Sequence, residues 1–271
     1  MRTSRSILML LLTVAMLPAC DKTAVGVIDD PAAGNGANVK FFNFSVGSPQ
    51  VNFYVNDKKV TGISTTGCAV LDDDNREQCL SSGLESASGV AYGSAGNGAN
   101  AWYSDVAPGQ ATISGKIAAT TDKNLAIANL QTNVETGKFY SYYLSGIYNT
   151  TAKTSDAFIV EDVMPPEDFT VAYVRFVNGS STTQPMTLYV KNRTTLEEVA
   201  VGGLVNYKSG GAFTAVPVGV SYDLSTRTSG SSTNVFSRLQ VTFSAGRAYT
   251  ITARGNTATA STMLLDNTAN R

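Results

Sequence analysis

Apolar and polar residues alternate with a period of two along many short stretches of the chain. In ANVKFFNFSVGSPQVNFYV (37–55), Val39 and Phe41 flank Lys40, and Val51, Phe53 and Val55 share one parity. In AYVRFVNGSSTTQPMTLYV (172–190), Val174 and Phe176 flank Arg175, and Met186, Leu188 and Val190 repeat the second pattern. Successive side chains of a strand point to opposite faces, so this period predicts half-buried strands. The same reading applies to Leu130, Thr132 and Val134, and to Leu239, Val241 and Phe243. It applies again to Tyr140, Tyr142 and Leu144, and to Tyr249, Ile251 and Ala253, with Gly137 and Gly246 marking the turns before them. Helical periodicity is nearly absent; Ser81 to Ala91 allows at best one short turn.

These stretches pair off as a duplication. At a constant offset of 135, seven of the 19 positions in 37–55 and 172–190 are identical, and Lys40 and Arg175 match in charge. Val106 and Gly109 then face Val216 and Gly219, GKFY (137–140) faces GRAY (246–249), and FIVED (158–162) faces MLLDN (263–267), at falling offsets. The first copy therefore carries about 25 extra residues between Val55 and Val106. Several short strands per copy, separated by turn residues, predict an all-β protein of two tandem immunoglobulin-like antiparallel β-sandwich domains. The expected boundaries are 37–164 for the first sandwich, with an insertion near 60–100, then a linker at 165–169 and a second sandwich at 170–271. Pro165-Pro166 cannot continue a strand ladder, which makes VMPPEDF (163–169) the expected hinge. Tyr140 and Tyr249, each just inside a strand after a Gly-Lys/Arg-x turn, are expected as structural tyrosines, either tyrosine corners or ordinary core aromatics.

The N-terminus has a different pattern. Arg2 and Arg5 precede an apolar run from Ile7 to Met16. Ten helical residues rise about 15 Å, half the thickness of a hydrocarbon core, so the run suits a signal peptide (1–19) rather than a membrane span. It ends Leu17-Pro18-Ala19-Cys20, which resembles the bacterial lipobox, whose cysteine receives diacylglycerol and acyl chains such as palmitate. Two readings stand: lipidation of Cys20, or ordinary cleavage near Ala19. The order of basic region, apolar run and cysteine favours the first. Residues 20–36 are then a lipidated tether rich in glycine and alanine, and the lipid bilayer is a partner through acylated Cys20. The expected location is the bacterial cell envelope, lipid-anchored, at the periplasmic face or the cell surface.

Charge and cysteine content narrow the chemistry. Without residues 1–19 the chain holds 18 basic and 21 acidic side chains, which does not favour nucleic acid as a partner. In an exported chain, Cys68 and Cys79 are expected to form a disulfide. A metal site is the rival, but zinc wants four ligands, usually Cys or His, and the chain has no histidine. The same absence removes Ser-His-Asp and Cys-His catalysis. The residues open to a ligand or to calcium are Asp72, Asp73, Asp74 and Glu77, near Trp102 and Tyr103. DDDN departs from the calcium-loop pattern, with Arg76 at the fifth position and no glycine at the sixth. GSAGNG (93–98) lacks the helix pattern and the Lys-Ser/Thr of a phosphate loop.

The succession of a VRF-N-S-like strand, a turn with Pro or Gln, VNFYV or MTLYV, a V-P-G turn, a G-K-x-Y strand and a closing acidic strand resembles the DUF4397 domain. This domain occurs in bacterial envelope proteins, often in tandem. The resemblance covers about 37–271 and implies a sandwich fold and an envelope location, with no catalytic residues to carry over. FFNFSVGSPQ lacks the histidine usual in the family's first strand. The resulting expectation is a non-enzymatic envelope lipoprotein without a cofactor, a module for protein or glycan binding or a structural envelope role. The alternative is a polysaccharide hydrolase using the carboxylates of the insertion.

Overall fold

The computed structural model describes residues 36–61, 70–71, 77–78, 89–97 and 101–271, and these contain strands and no helix. The first copy forms β1 (Ala37–Asn43), β2 (Val51–Val55), β3 (Lys58–Lys59), β4 (Val70–Leu71), β5 (Glu77–Gln78), β6 (Ser94–Ala95), β7 (Ser104–Val106), β8 (Gly109–Ile117), β9 (Ala126–Val134), β10 (Phe139–Asn149) and β11 (Thr154–Glu161). The second forms β12 (Val171–Asn178), β13 (Met186–Asn192), β14 (Glu198–Val205), β15 (Ser209–Gly210), β16 (Thr214–Pro217), β17 (Ser221–Thr228), β18 (Phe236–Thr242), β19 (Ala248–Asn256) and β20 (Thr259–Ala269).

Each copy is a two-sheet sandwich with one topology. In the first, the order β11-β10-β1 continues to β6 and β7, which share the far edge of β1, and faces a sheet ordered β3-β2-β8-β9. In the second, β20-β19-β12 continues to β15 and β16, facing β14-β13-β17-β18. The expected antiparallel arrangement needs one correction per copy: β1 pairs with β10, and β12 with β19, in parallel. The first and penultimate long strands of each copy are far apart in sequence, so a long crossover can join them side by side in the same direction.

The two cores follow the predicted parity. Ala37, Val39 and Phe41 join Val51, Phe53, Ile113, Tyr142 and Leu144, with Phe41 and Phe53 stacked at 5.4 Å. Val174 and Phe176 join Met186, Leu188, Val190, Leu224 and Ile251. The opposite parity is also buried, which the pattern did not predict. β1 is buried at every residue because the outer face of its sheet packs on the matching sheet of the second copy. Phe42, Phe44, Tyr143 and Phe158 meet Val177 there, with Phe42 and Phe158 each stacked on Tyr143 at 4.9 and 5.0 Å. The expected hinge is accordingly held in place: Arg271 donates to the carbonyls of Pro165 (2.9 Å) and Pro166 (3.4 Å).

Strand registers place the insertion more narrowly than 60–100. Val201 pairs with Leu188 and Val205 with Met186, and residues 202–204 join them in one continuous strand. In the first copy Val60 bonds to Phe53 and Val90 pairs with Val51, which are the equivalent positions. The same edge strand is therefore interrupted between Thr61 and Gly89. Ser94–Ala95, inside the expected insertion of 60–100, pairs with β1 as Ser209–Gly210 pairs with β12, so it belongs to the shared fold.

A second correction concerns β18. Leu239, aligned with Leu130 in the repeat, is 66% exposed, whereas Leu130 packs against the core. A register shift between Tyr222 and Leu224, with Gln240 at φ 60°, brings Arg238 opposite Leu224 and turns Leu239 outward.

Two outcomes follow. Replacing residues 62–88 with one glycine copies the spacing of Val201 to Val205 and should leave a cooperatively melting chain; loss of the cooperative transition would contradict the register. Leu130→Ala should cost about 1–2 kcal/mol while Leu239→Ala costs under about 0.5 kcal/mol in chemical denaturation, since only one loses packing.

Candidate functional site

The residues singled out in the sequence do not gather into one site. Cys20, Cys68, Cys79, Asp72, Asp73 and Asp74 lie outside the described residues, and Glu77 is described only as backbone of β5, paired with Leu71. Trp102 and Tyr103 diverge: Trp102 is 65% exposed, while the Tyr103 hydroxyl donates to Asp162 (2.7 Å) between the two copies. Tyr140 and Tyr249 do equivalent work, accepting the backbone N–H of Glu135 (3.2 Å) and Ser244 (3.1 Å), each five residues upstream. Tyr222 donates to the carbonyl of Pro217 (2.7 Å). Among the described residues no group of three or more Cys, Asp or Glu is placed to hold a metal ion.

Two polar arrangements stand out. The first is buried where the copies meet. Asp162 accepts from Ser141 (2.8 Å), Tyr103 and Asn270 (3.1 Å), and pairs with the Arg175 guanidinium. Arg175 also donates from Nε to Thr250 (2.8 Å) and from Nη1 to the carbonyl of Glu161 (2.9 Å), and Thr250 donates to Asn270 (2.6 Å). Lys40 donates to the carbonyl of Ala269 and lies 4.3 Å from the centre of the Tyr103 ring. Both cations sit at the strand positions read as the polar face, yet Lys40 is 3% and Arg175 2% exposed. The sequence signal for this burial is the doubled aromatics of FFNF and YSYYL, which place rings on the nominally polar side. Buried, with the acceptors of Asp162 occupied, the cluster joins the two sandwiches.

Burial dominates its titration. It lowers the Lys40 ammonium to about 8, with Asp162 opposing and Arg175 reinforcing the shift, and it pushes Tyr103 well above the usual tyrosine range. A lysine with a lowered folded pKa binds fewer protons folded than unfolded between about 8 and 10.5, so stability rises with pH across that window. Above about 10 the buried tyrosines reverse the trend, since unfolding lets them ionise. The chain should therefore gain about 1 kcal/mol between pH 8 and 9, before tyrosine ionisation in the unfolded chain offsets it, read by denaturant titration, and Lys40→Met should remove that rise. A Lys40→Met profile parallel to the parent would refute the assignment.

The second arrangement is open: a groove of about 240 Å³ on the outer face of the β14-β13-β17-β18 sheet. Lys191, Glu198, Asp223, Ser225, Arg227, Asn234, Ser237 and Leu239 line it. They are the outward residues of neighbouring strands, with Leu239 added by the shift in β18. Arg227 grips Glu198 with both terminal nitrogens (2.6 and 2.7 Å), donates from Nε to Asn234 (2.8 Å) and covers the Tyr189 ring at 4.5 Å. Its hydrogen bonds hold the Glu198 carboxyl below its ordinary range. Asp223 accepts the N–H of Gln240 (3.1 Å) and lies 3.6 Å from Arg193 Nε, and the Lys191 charge acts on Glu198. The groove thus offers an ammonium, carboxylates, hydroxyls and an apolar side chain on a fixed sheet. Sequence reasoning missed it because charged residues on an outer strand face look alike whether or not they converge.

Residues 172–271 match the family model of DUF4397, a domain of unknown function. No curated protein matches the chain.

Proposed function

We propose that this chain, whose residues 172–271 belong to the DUF4397 family, is a membrane-anchored envelope lipoprotein that binds a protein or glycan and catalyses no reaction. The observation that carries the binding part is the groove between Lys191, Asp223, Arg227 and Leu239. Its arginine is already oriented by Glu198, Asn234 and Tyr189, so little side-chain freedom is lost when a ligand docks. Hydroxyls and charges beside one exposed leucine suit a hydroxyl-rich glycan or a polar peptide segment. Glu198 is a poor general acid, because Arg227 holds it ionised, whereas glycoside hydrolysis needs a carboxyl with a raised pKa. The anchor part rests on the sequence order of Arg2, Arg5, Ile7–Met16 and Cys20. More than one acyl chain gives stable attachment, and the tether of residues 20–36 leaves the sandwiches clear of the bilayer.

Two measurements test this reading separately. Fractionation of cells should find the chain in membranes and its Cys20→Ala variant in the soluble fraction; an unlipidated parent would refute the anchor. Binding to immobilised peptidoglycan and lipopolysaccharide, and to envelope proteins by crosslinking, should fall about tenfold or more in Lys191→Ala and Asp223→Asn with melting unchanged. Binding that survives both changes would move the site off the groove.

A further inference from the structure

We propose that the face joining the two sandwiches is a two-fold dimer interface made heterotypic by single-residue differences, so that each sandwich recognises the other and rejects a second copy of itself. Strand registers define the equivalences. Val39 pairs with Ser104 and Val174 with Thr214, so Tyr103 corresponds to Phe213. Tyr140 pairs with Glu161 and Tyr249 with Ala269, so Glu161 corresponds to Ala269 and Asp162 to Asn270, which corrects the alignment of FIVED with MLLDN by three residues. Phe42 pairs with Ala95 and Val177 with Gly210, so Tyr92 corresponds to Tyr207.

The contacts then come in reciprocal pairs. Arg175 donates to the carbonyl of Glu161, and Lys40 donates to the carbonyl of Ala269. Lys40 covers the Tyr103 ring, and Arg175 covers the Phe213 ring at 4.9 Å. Tyr207 reaches across to Asp156 on β11 (2.8 Å), and Tyr92 reaches across to β20 at the carbonyl of Thr262 (2.9 Å), two residues from Leu264, the equivalent of Asp156. The same patch on both partners, with residue i touching j and j touching i, is the signature of an isologous two-fold interface.

The symmetry breaks at its centre. Asp162 and Asn270 are equivalent positions, yet they face each other, with Asn270 Nδ2 3.1 Å from the Asp162 carboxylate. Two first sandwiches joined by this face would place two Asp162 carboxylates at that separation, and even beside two Lys40 ammonium groups such close like charges disfavour ionisation of the second. Two second sandwiches would bury two Arg175 guanidinium groups against two Asn270 amides with no carboxylate, and a buried charge without its partner is strongly destabilising. Only the mixed pair supplies one carboxylate, one amide and one guanidinium that satisfy one another. The condition is one carboxylate at the two positions 162 and 270 at the centre of the interface, on either side.

The test uses the full chain with a protease recognition sequence inserted between Glu167 and Asp168. After cutting, the two fragments of the parent should co-elute on size exclusion as one species. Asn270→Asp, which creates the carboxylate pair, and Asp162→Asn, which leaves the centre without a carboxylate, should each raise the fragment dissociation constant about tenfold or more. The double exchange, Asp162→Asn with Asn270→Asp, moves the carboxylate to the side facing Lys40 and should recover most of the affinity. Circular dichroism before cutting checks that each variant is folded, and Asn270→Asp alone decides the case if Asp162→Asn is not. Separation of the parent fragments, an Asn270→Asp interface as tight as the parent, or a double exchange no tighter than Asp162→Asn would each overturn the proposal.

Discussion

A carboxylate shut away from water must find its charge and hydrogen-bond partners where it stands, and Asp162 imposes that condition on both sandwiches at once. It directly follows the last strand of the first copy, and its partners come from Tyr103 and Ser141 on one side and Arg175 and Asn270 on the other. Arg175 in turn orders Thr250 and the carbonyl of Glu161. Around this centre Phe42, Phe44, Tyr143 and Phe158 exclude water. The apolar ring supplies most of the attraction. The ionic centre adds little net stability once its desolvation is counted, but it makes one relative placement of the sheets far better than its neighbours.

That placement gives the molecule four sheet layers, with the two inner sheets consumed by the interface. The outer sheets stay uncovered among the described residues, and in the second copy the outer face carries the groove lined by Lys191, Asp223 and Arg227. Its rigidity comes from the strands beneath it. Leu188, Val190 and Leu224, buried in the core, alternate with Tyr189, Lys191 and Asp223 on the exposed side, so neither set can shift without the other. The first copy repeats part of the device, with Lys116 over the Tyr54 ring at 4.6 Å, where the second has Arg227 over Tyr189. It differs in the edge strand beside it, which in the first copy is interrupted between Thr61 and Gly89.

Much of the fold was legible in the chain because its rules are local. Period-two alternation in 37–55 and 172–190 located the strands, and turn residues such as Gly137 and Gly246, both at φ 74°, located their ends. The duplication was legible because equivalent core positions keep equivalent residues. The errors arose where a local rule was ambiguous. Leu239 aligned with Leu130, but one shift in register at Gln240 turned it to solvent. Lys40 and Arg175 read as solvent-facing because alternation reports which face a residue takes and not what covers that face. The groove was not legible either, since its residues come from four strands and converge only after pairing.

The sequence by itself determined the all-β class, the two equivalent strand sets and the core parity, each of which follows from residue type and near-neighbour spacing. Tertiary structure alone decided that the inner sheets pack face to face, that Asp162 and Asn270 meet across that contact, that the edge strand is broken between Thr61 and Gly89, and that Lys191, Asp223 and Leu239 share one groove. The physical reason is range. Strand propensity and alternation act over a few residues along the chain, whereas desolvation and charge pairing depend on what lies a few ångströms away, and for Asp162 that neighbour is Asn270, 108 residues further on.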